Sequence, residues 1–534
     1  MFKKKFIKVI ALILVLSFAI VPMASCNEEK GPEPMLDPIN DNYRTFYQIF
    51  VGSFADSNED GFGDLRGIID NFDYLNDGNI NSGKSLGVQG IWLSPIFVSP
   101  SYHKYDVKDY YKIDWRFGDM SDLEELADLC EERNVKLILD LVLNHTSSQH
   151  PWFQEFLKSR MNCDMSNKYY DYYTCVTAAE RVSGRSYQKI AGVDGYYEVN
   201  FSGDMPELDY DNPEVRQEML DVAKYYLDLG IDGFRFDAIK YIYYGDTAKS
   251  ADFWEWYMDK LREYKPDIYC VGECWSGDPE VYKYYDAMNC FNFTMSGASG
   301  KVAMAAKGTE SVYSYARYIQ LYQDSIEAVN PDGMVMGFVS NHDMDRIAGA
   351  FINENPMRMC ANLYILGPGS PMIYYGEELG LRGSRGGEMT DANRRLAMPW
   401  GNEYTPRNPV GATYSEDKQI KSTVVEQMED ENSLYNYYCR LIAIRHKHPE
   451  IARGDYTAIQ CGSSKLGGFL VDYDGSKVII IHNTDTAERS YDLMKCAALN
   501  GMSVTELCDY IGVGEASLNG TILTISGQTS VILK

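Results

Sequence analysis

Three short apolar runs, spaced along the chain, each end in a carboxylate. The first is Gly230-Ile231-Asp232-Gly233-Phe234-Arg235-Phe236-Asp237, followed by Ala238-Ile239-Lys240. The second is Tyr269-Cys270-Val271-Gly272-Glu273, followed by Cys274-Trp275, and the third is Gly337-Phe338-Val339-Ser340-Asn341-His342-Asp343. Successive strands that each deliver an acid at their end suit a (β/α)8 barrel, whose reactive groups gather at the C-terminal rim. Arg235 and Asp237 stand at i and i+2, so on a strand they point to the same side. A cation held beside a carboxylate keeps it ionised, which is the state a carboxylate nucleophile requires. Taken alone, Arg-x-Asp also reads as a buried structural ion pair.

Strands alternate with helical patterns over most of the chain, which argues for an α/β fold with a parallel sheet. The strands are expected at Phe46 to Phe54, Gly87 to Pro95, Val135 to Leu143, the run ending at Asp237 and the run ending at Glu273. A weaker sixth falls at Cys290 to Met295, a seventh ends at Asp343, and Pro371 to Glu377 is the eighth. Ser121 and Glu124 are expected to form a capping box at the start of a helix running to Arg133. Asp140 is unusual inside a strand and points to a polar network with Arg235. At 534 residues the chain is too long for a single ordinary domain, although a barrel with insertions absorbs much of it. A formal charge of −27 argues against nucleic acid and against an electrostatic grip on anionic lipid, and suits a neutral substrate.

The run Asp140-Leu141-Val142-Leu143-Asn144-His145, followed by GFRFDAIKY, VGECW and FVSNHD, resembles the four ordered signatures of the α-amylase family, glycoside hydrolase family 13. The likeness extends from about Tyr43 to the C-terminus. It implies a (β/α)8 TIM barrel with a small domain inserted after the third strand and a C-terminal β-sandwich. The implied boundaries are 43–146 and 213–453 for the barrel, 147–212 for the insert and 454–534 for the sandwich. Met205-Pro206-Glu207-Leu208-Asp209 resembles an additional signature of the family, closest to an intermediate α-amylase-type pattern. DANRRLAMPW, at Asp391 to Trp400, resembles a segment on the loop after the eighth strand.

The same resemblance assigns roles. Asp237 is the nucleophile, Glu273 the acid/base, and Asp343 the carboxylate that grips sugar hydroxyls in the transition state. Tyr105 and Asp106 belong at the floor of the subsite for the non-reducing sugar, and His145, Arg235 and His342 complete it. Lys240 matches a lysine of the leaving-group subsite. Lys104 stands where many members have glycine. Ala238, a small residue after the nucleophile, accompanies α-1,4 rather than α-1,6 cleavage among relatives. The expected activity is therefore hydrolysis of α-1,4-glucosidic bonds in starch-type glucans and maltooligosaccharides. An α-glucosidase or oligo-1,6-glucosidase, a glucosyl-transferring member and an inactive surface glycan-binding protein are the alternatives.

Asp56-Ser57-Asn58-Glu59-Asp60-Gly61-Phe62-Gly63-Asp64 alternates oxygen side chains with glycines, as a calcium-wrapping loop does. It is not an EF-hand, because the twelfth position is Gly67. The family likeness assigns structural Ca2+ to the side chains of Asp56, Asn58, Asp60 and Asp64 and the carbonyl of Phe62. The plain alternative is an Asx-rich turn.

Residues 1–26 read as a targeting segment: Lys3, Lys4, Lys5 and Lys8 precede an apolar stretch from Ile7 to Val21. Met23-Ala24-Ser25-Cys26 resembles a bacterial lipobox, which implies cleavage before Cys26 and lipid attachment to its thiol. Residues 27–42 read as a tether. The implied location is the outer face of a bacterial membrane, held only by that lipid, with the enzyme a monomer. Twelve cysteines less Cys26 leave an odd eleven. Cys163 and Cys175 are placed to bridge within one loop, but no disulfide is required, and the absence of any C-x-x-C argues against zinc or iron–sulfur.

Overall fold

Seven short apolar runs pair in parallel to form one curled sheet. The strands are β1 (Phe46–Ile49), β2 (Gly90–Leu93), β3 (Lys136–Leu141), β4 (Gly233–Phe236), β5 (Tyr269–Gly272), β6 (Asn289–Cys290) and β7 (Met372–Tyr374). Their spatial order is β6-β5-β4-β3-β2-β1-β7. The computed structural model describes residues 41–79, 82–387 and 389–534. The expected signal segment, Cys26 and nearly all of the tether lie outside these residues.

The seventh barrel position is not a strand. Residues 336–338 bridge the two sheet edges through single parallel pairs, Phe291 with Met336 and Phe338 with Met372, and so close the barrel. The sixth strand is likewise shorter than expected, and Phe293–Met295 turns into a 3-10 helix. Glycine weakens a strand, and Gly337 sits between two bulky residues that fill the interior. That interior is packed by Phe46, Trp92, Ile138, Tyr269, Phe291, Met336 and Met372. Two glycines allow this packing, one beside a ring and one beside a neighbouring backbone. A Cβ on Gly90 would lie 2.4 Å from the Phe46 ring, and one on Gly233 would lie 1.8 Å from the Tyr269 carbonyl oxygen.

Helix Met120–Glu132 starts earlier than the sequence suggests. Its cap is Asp119, in a capping box with Asp122, rather than Ser121 with Glu124. Two overlapping patterns of the right spacing occur there, and the helix uses the upstream one. After β3 the chain leaves the barrel for helix Pro151–Met161 and a three-stranded antiparallel sheet of Cys175–Val176, Tyr196–Glu198 and Tyr187–Lys189. It returns alongside the β3 exit, where the Leu208 amide donates to the Asn144 carbonyl at 3.0 Å.

The C-terminal region is a β-sandwich of a five-stranded and a three-stranded antiparallel sheet. Strand Ser476–Asn483 is buried on both faces. Ile479 and Ile481 pack between the two sheets with Leu523 and Ile525, while Val478 and Ile480 join the barrel-side core. This explains why the run Val478 to Ile481 is uninterrupted by polar residues. The eleven cysteines among the described residues are all free; Cys163 is exposed, Cys175 is half-buried, and the bridge between them does not form. Among the described residues no helix is long and apolar enough to cross a membrane.

Candidate active site

The site is built outward from Arg235 on β4, which is wholly buried. Register pairs Asp140 of β3 with Arg235 and Val271 of β5 with Arg235, so acids on either side converge on one guanidinium. Arg235 Nη1 donates to Asp140 Oδ1 at 2.8 Å and to Asp237 Oδ1 at 2.7 Å, and Nη2 lies 3.5 Å from Glu273 Oε2. Trp92 Nε1 and the Tyr105 hydroxyl also donate to Asp140, at 3.3 and 2.9 Å. The expected Asp140–Arg235 network is present, and it is larger than an isolated pair.

Glu273 follows β5 directly. Burial pushes its carboxyl up to about 7; Arg235 opposes this, and Asp237 and Asp343 add to it. Its Oε2 accepts the Ala238 backbone N–H at 2.9 Å. Ala238 holds that N–H in place with a left-handed backbone, φ 50° and ψ 42°. Such strain in a residue bearing a Cβ costs free energy and collects at functional sites.

Asp343 is fixed from two sides. Arg395 Nη2 lies 2.7 Å from its Oδ1, and His342 Nε2 lies 3.0 Å from its Oδ2. Burial favours the neutral acid, but His342, Arg395 and Arg235 outweigh it and hold Asp343 well below the usual carboxylate range. Burial lowers the pKa of the His342 ring, while Asp343 opposes that shift. The Gln48 Nε2 group lies 2.7 Å from Nδ1 and donates to it. With Nδ1 accepting from Gln48, the ring carries a proton on Nε2, facing Tyr105 and Asp343. Arg395 lies in the DANRRLAMPW segment, whose sequence alone does not single it out. It also donates to the Tyr102 hydroxyl at 3.1 Å and to the His342 carbonyl at 3.0 Å.

The other expected residues fall into two groups. Tyr105 and His145 line the same cavity as Asp237, Glu273 and Asp343. Tyr105 stacks on His342, with centroids 5.5 Å apart and planes 6° apart. The His145 Nε2 is buried without a protein partner, and burial lowers the pKa of the ring. Asp106 and Lys240 do not line the cavity. Asp106 is turned aside to accept from Ser99 at 2.7 Å and from Ser101. Lys240 Nζ donates to the Trp275 carbonyl at 2.7 Å and to Ser276 Oγ at 3.0 Å. It thus props the loop carrying Trp275, whose ring stacks on Phe293 at 4.8 Å and is 48 % exposed. Lys104 is buried with φ 68° and pairs with Asp114 at 2.7 Å, tying down the loop that carries Tyr105.

The Asp56–Asp64 loop is closed by its own hydrogen bonds. Asp56 accepts from the Asn58 and Gly61 amides at 3.2 and 2.7 Å, and Asp60 accepts from the Phe62 amide at 2.8 Å. Asp64 caps helix Leu65–Asp70 through the Gly67 amide. All the donors are oxygen, as a hard cation requires. Among the described residues, however, no three His, Cys, Asp or Glu side chains are arranged to hold a metal ion. A calcium ion there would depend on Asn58 and the Phe62 carbonyl as much as on Asp56, Asp60 and Asp64.

The cavity over these groups has a volume of about 500 Å3 and is walled by Phe201 and Met205 of the inserted region, Trp275, and Met389 to Asp391. It places a protonatable acid, an acid gripped by a cation and a third ionised carboxylate around one space. That combination equips the site for acid-assisted displacement at a sugar carbon.

Comparison with known proteins agrees. Residues 48–454 match the family described as "Alpha amylase, catalytic domain". The chain is 35% identical to Alpha-amylase 3 of Dictyoglomus thermophilum over 459 residues, which cover 84% of this chain and 86% of that protein. It is 30% identical to an oligo-1,6-glucosidase of Bacillus cereus, covering 84% of this chain and 91% of that protein. Among solved structures, Eubacterium rectale Amy13B superposes with a TM-score of 0.83 at 32% identity, covering 92% of this chain and 95% of that one. With its catalytic-type acids gathered at the rim of such a barrel, the chain belongs to the α-amylase family of glycoside hydrolases, family 13.

Proposed function

We propose that the protein is a retaining enzyme that hydrolyses α-1,4-glucosidic bonds in starch-type glucans and maltooligosaccharides. The observation that carries this reading is the unequal treatment of two acids by one guanidinium. Asp237 takes the 2.7 Å bond from Arg235, whereas Glu273 stands 3.5 Å away and is pushed up to about 7. Asp237 Oδ attacks the anomeric carbon while the glycosidic C–O bond breaks and the Glu273 proton passes to the leaving oxygen. Glu273, now ionised, takes a proton from water; the water oxygen bonds to the anomeric carbon and Asp237 is released. Asp343, held by Arg395, strengthens its grip on the sugar hydroxyls as positive charge develops.

Ala238, which lines the cavity, supports the α-1,4 preference, because a small residue at this position accompanies α-1,4 cleavage in the family it resembles. The similarity to an oligo-1,6-glucosidase sustains α-1,6 cleavage as a second reading. Products from maltoheptaose, soluble starch, pullulan and isomaltose separate the two. A spread of short maltooligosaccharides from starch supports the first. Glucose from isomaltose with starch untouched contradicts it, and chains longer than the input would mean transfer to sugar rather than water.

The same reading includes structural calcium at Asp56, Asn58, Asp60, Phe62 and Asp64, supported by the all-oxygen donor set. A chelator should then lower Tm and added Ca2+ restore it; an unchanged Tm contradicts this. It also includes export, a lipid on Cys26 and a monomeric enzyme at the outer face of a bacterial membrane. Mass spectrometry of the membrane-extracted N-terminus tests the lipid, and light scattering the monomer.

A further inference from the structure

A second cavity, of about 230 Å3, lies between the Asp60–Phe62 turn, residues 102–117 and residues 407–410. It shares one wall with the catalytic cavity, namely Tyr102. The Phe50, Phe62, Tyr102 and Phe117 rings supply its apolar surface. Polar groups stand among them: Asp60, Arg116, Arg407 and Asn408. Aromatic faces with a few placed polar groups are the usual make-up of a small-molecule site.

Two of the cations lining the cavity are already engaged by an acid. Lys104 and Arg116 share one buried acid, Asp114, at 2.7 Å for Lys104 Nζ and at 2.8 and 3.0 Å for two Arg116 nitrogens. Arg407, Asn408 and Arg116 also line the cavity. A neutral polyhydroxylated ring finds both donors and acceptors there, and its apolar face finds aromatic rings. The volume falls below the roughly 300 Å3 at which sites for drug-sized ligands begin, so it suits a single pyranose ring.

The shared wall couples the two cavities. The Arg395 guanidinium lies 5.3 Å from the Phe50 ring centroid and 5.5 Å from that of Tyr102, and it is the group that grips Asp343. Whatever fills the second cavity therefore touches the two rings that flank Arg395.

We propose that this cavity binds one uncharged glucopyranosyl unit and reports its occupancy to Asp343 through Tyr102, Phe50 and Arg395. The proposal rests on the α-glucan reading above. The unit has two sources, a further residue of the substrate chain or a free small sugar.

The test uses Val410→Trp, which fills the cavity from a position 77 % exposed, and Arg407→Ala, which removes an exposed donor. Both are compared with the parent protein at matched Tm and fixed calcium. If the unit belongs to the substrate chain, Val410→Trp lowers kcat/KM for maltoheptaose at least fivefold more than for maltotriose, and Arg407→Ala does so to a lesser degree. If it is a free sugar, added maltose alters the parent's rate on a short chromogenic glucoside in a way that excess substrate does not overcome, and Val410→Trp abolishes the response. Unchanged chain-length preference together with an unchanged maltose response overturns the proposal. Calorimetry with maltose separates this from failure of the functional reading. If the parent turns over no α-glucan, loss of one maltose per chain in Val410→Trp still upholds the pocket, and identical stoichiometry overturns it.

Discussion

Glu273 and Glu377 both follow barrel strands, both are buried, and burial pushes both up to about 7. Their surroundings differ in kind. Glu273 lines the catalytic cavity, 3.5 Å from a guanidinium. Glu377 accepts from Tyr364 at 2.6 Å, Tyr438 at 3.0 Å and Ser340 at 3.1 Å, with no ion pair among the described residues. A raised pKa at a strand end therefore does not mark catalysis. An open space beside the acid and a cation shared with a second acid do, because together they let a proton leave for a substrate and stabilise what remains.

The sharpest way to break this contrast is to remove each proton in turn. Glu273→Gln should lower kcat/KM on maltooligosaccharides by about 10²–10⁴-fold, the usual scale of general acid–base catalysis. Glu377→Gln should change it less than tenfold while costing about 1–3 kcal/mol of stability from disturbed buried hydrogen bonds. Steady-state rates and thermal melts on both variants decide the matter, and equal losses of activity would erase the distinction.

Arg235→Met follows in size. It leaves Asp140 and Asp237 buried without their cation, a loss on the scale of about 3–5 kcal/mol. Urea titration should show that loss, and activity should fall with it. A variant as stable as the parent would mean that the guanidinium is not the hub of the site.

The smaller effects are in pH. In the proposed mechanism Glu273 must be protonated to act, so kcat/KM should fall about tenfold per unit above pH 7, and the limb should vanish in Glu273→Gln. Glu377 affects stability instead. Its folded pKa lies above the unfolded value, so its contribution is complete below about pH 4.5 and is lost as pH rises through about 7. The decline in Tm between pH 5 and 8 should therefore be shallower in Glu377→Gln, with the activity limb unchanged.

The same contrast explains what could be read before the structure. Asp237, Glu273 and Asp343 were legible because each ends a short apolar run, and period-two alternation put Arg235 beside Asp237. Arg395 was not, because it reaches Asp343 from a loop 52 residues further on, and no local pattern records such a contact. Asp106 and Lys240 were picked out by motif, yet they meet serines and a backbone carbonyl rather than the cavity, since a motif fixes position and not side-chain direction. The seventh strand looked like the others in composition, but Gly337 and its bulky neighbours leave only two bridges there. Lys104 could not be interpreted without seeing Asp114 beneath it.

In the proposed mechanism Asp237 bonds covalently to the sugar while Glu273 handles the proton. Incubating Glu273→Gln with an activated glucosyl fluoride and mapping the added mass by peptide mass spectrometry tests it most directly. One hexosyl adduct is expected, on the peptide and side chain of Asp237, formed quickly because the fluoride leaves without acid help and lost slowly because the base is missing. An adduct on another residue, or turnover of the fluoride with no adduct at any time, would contradict it.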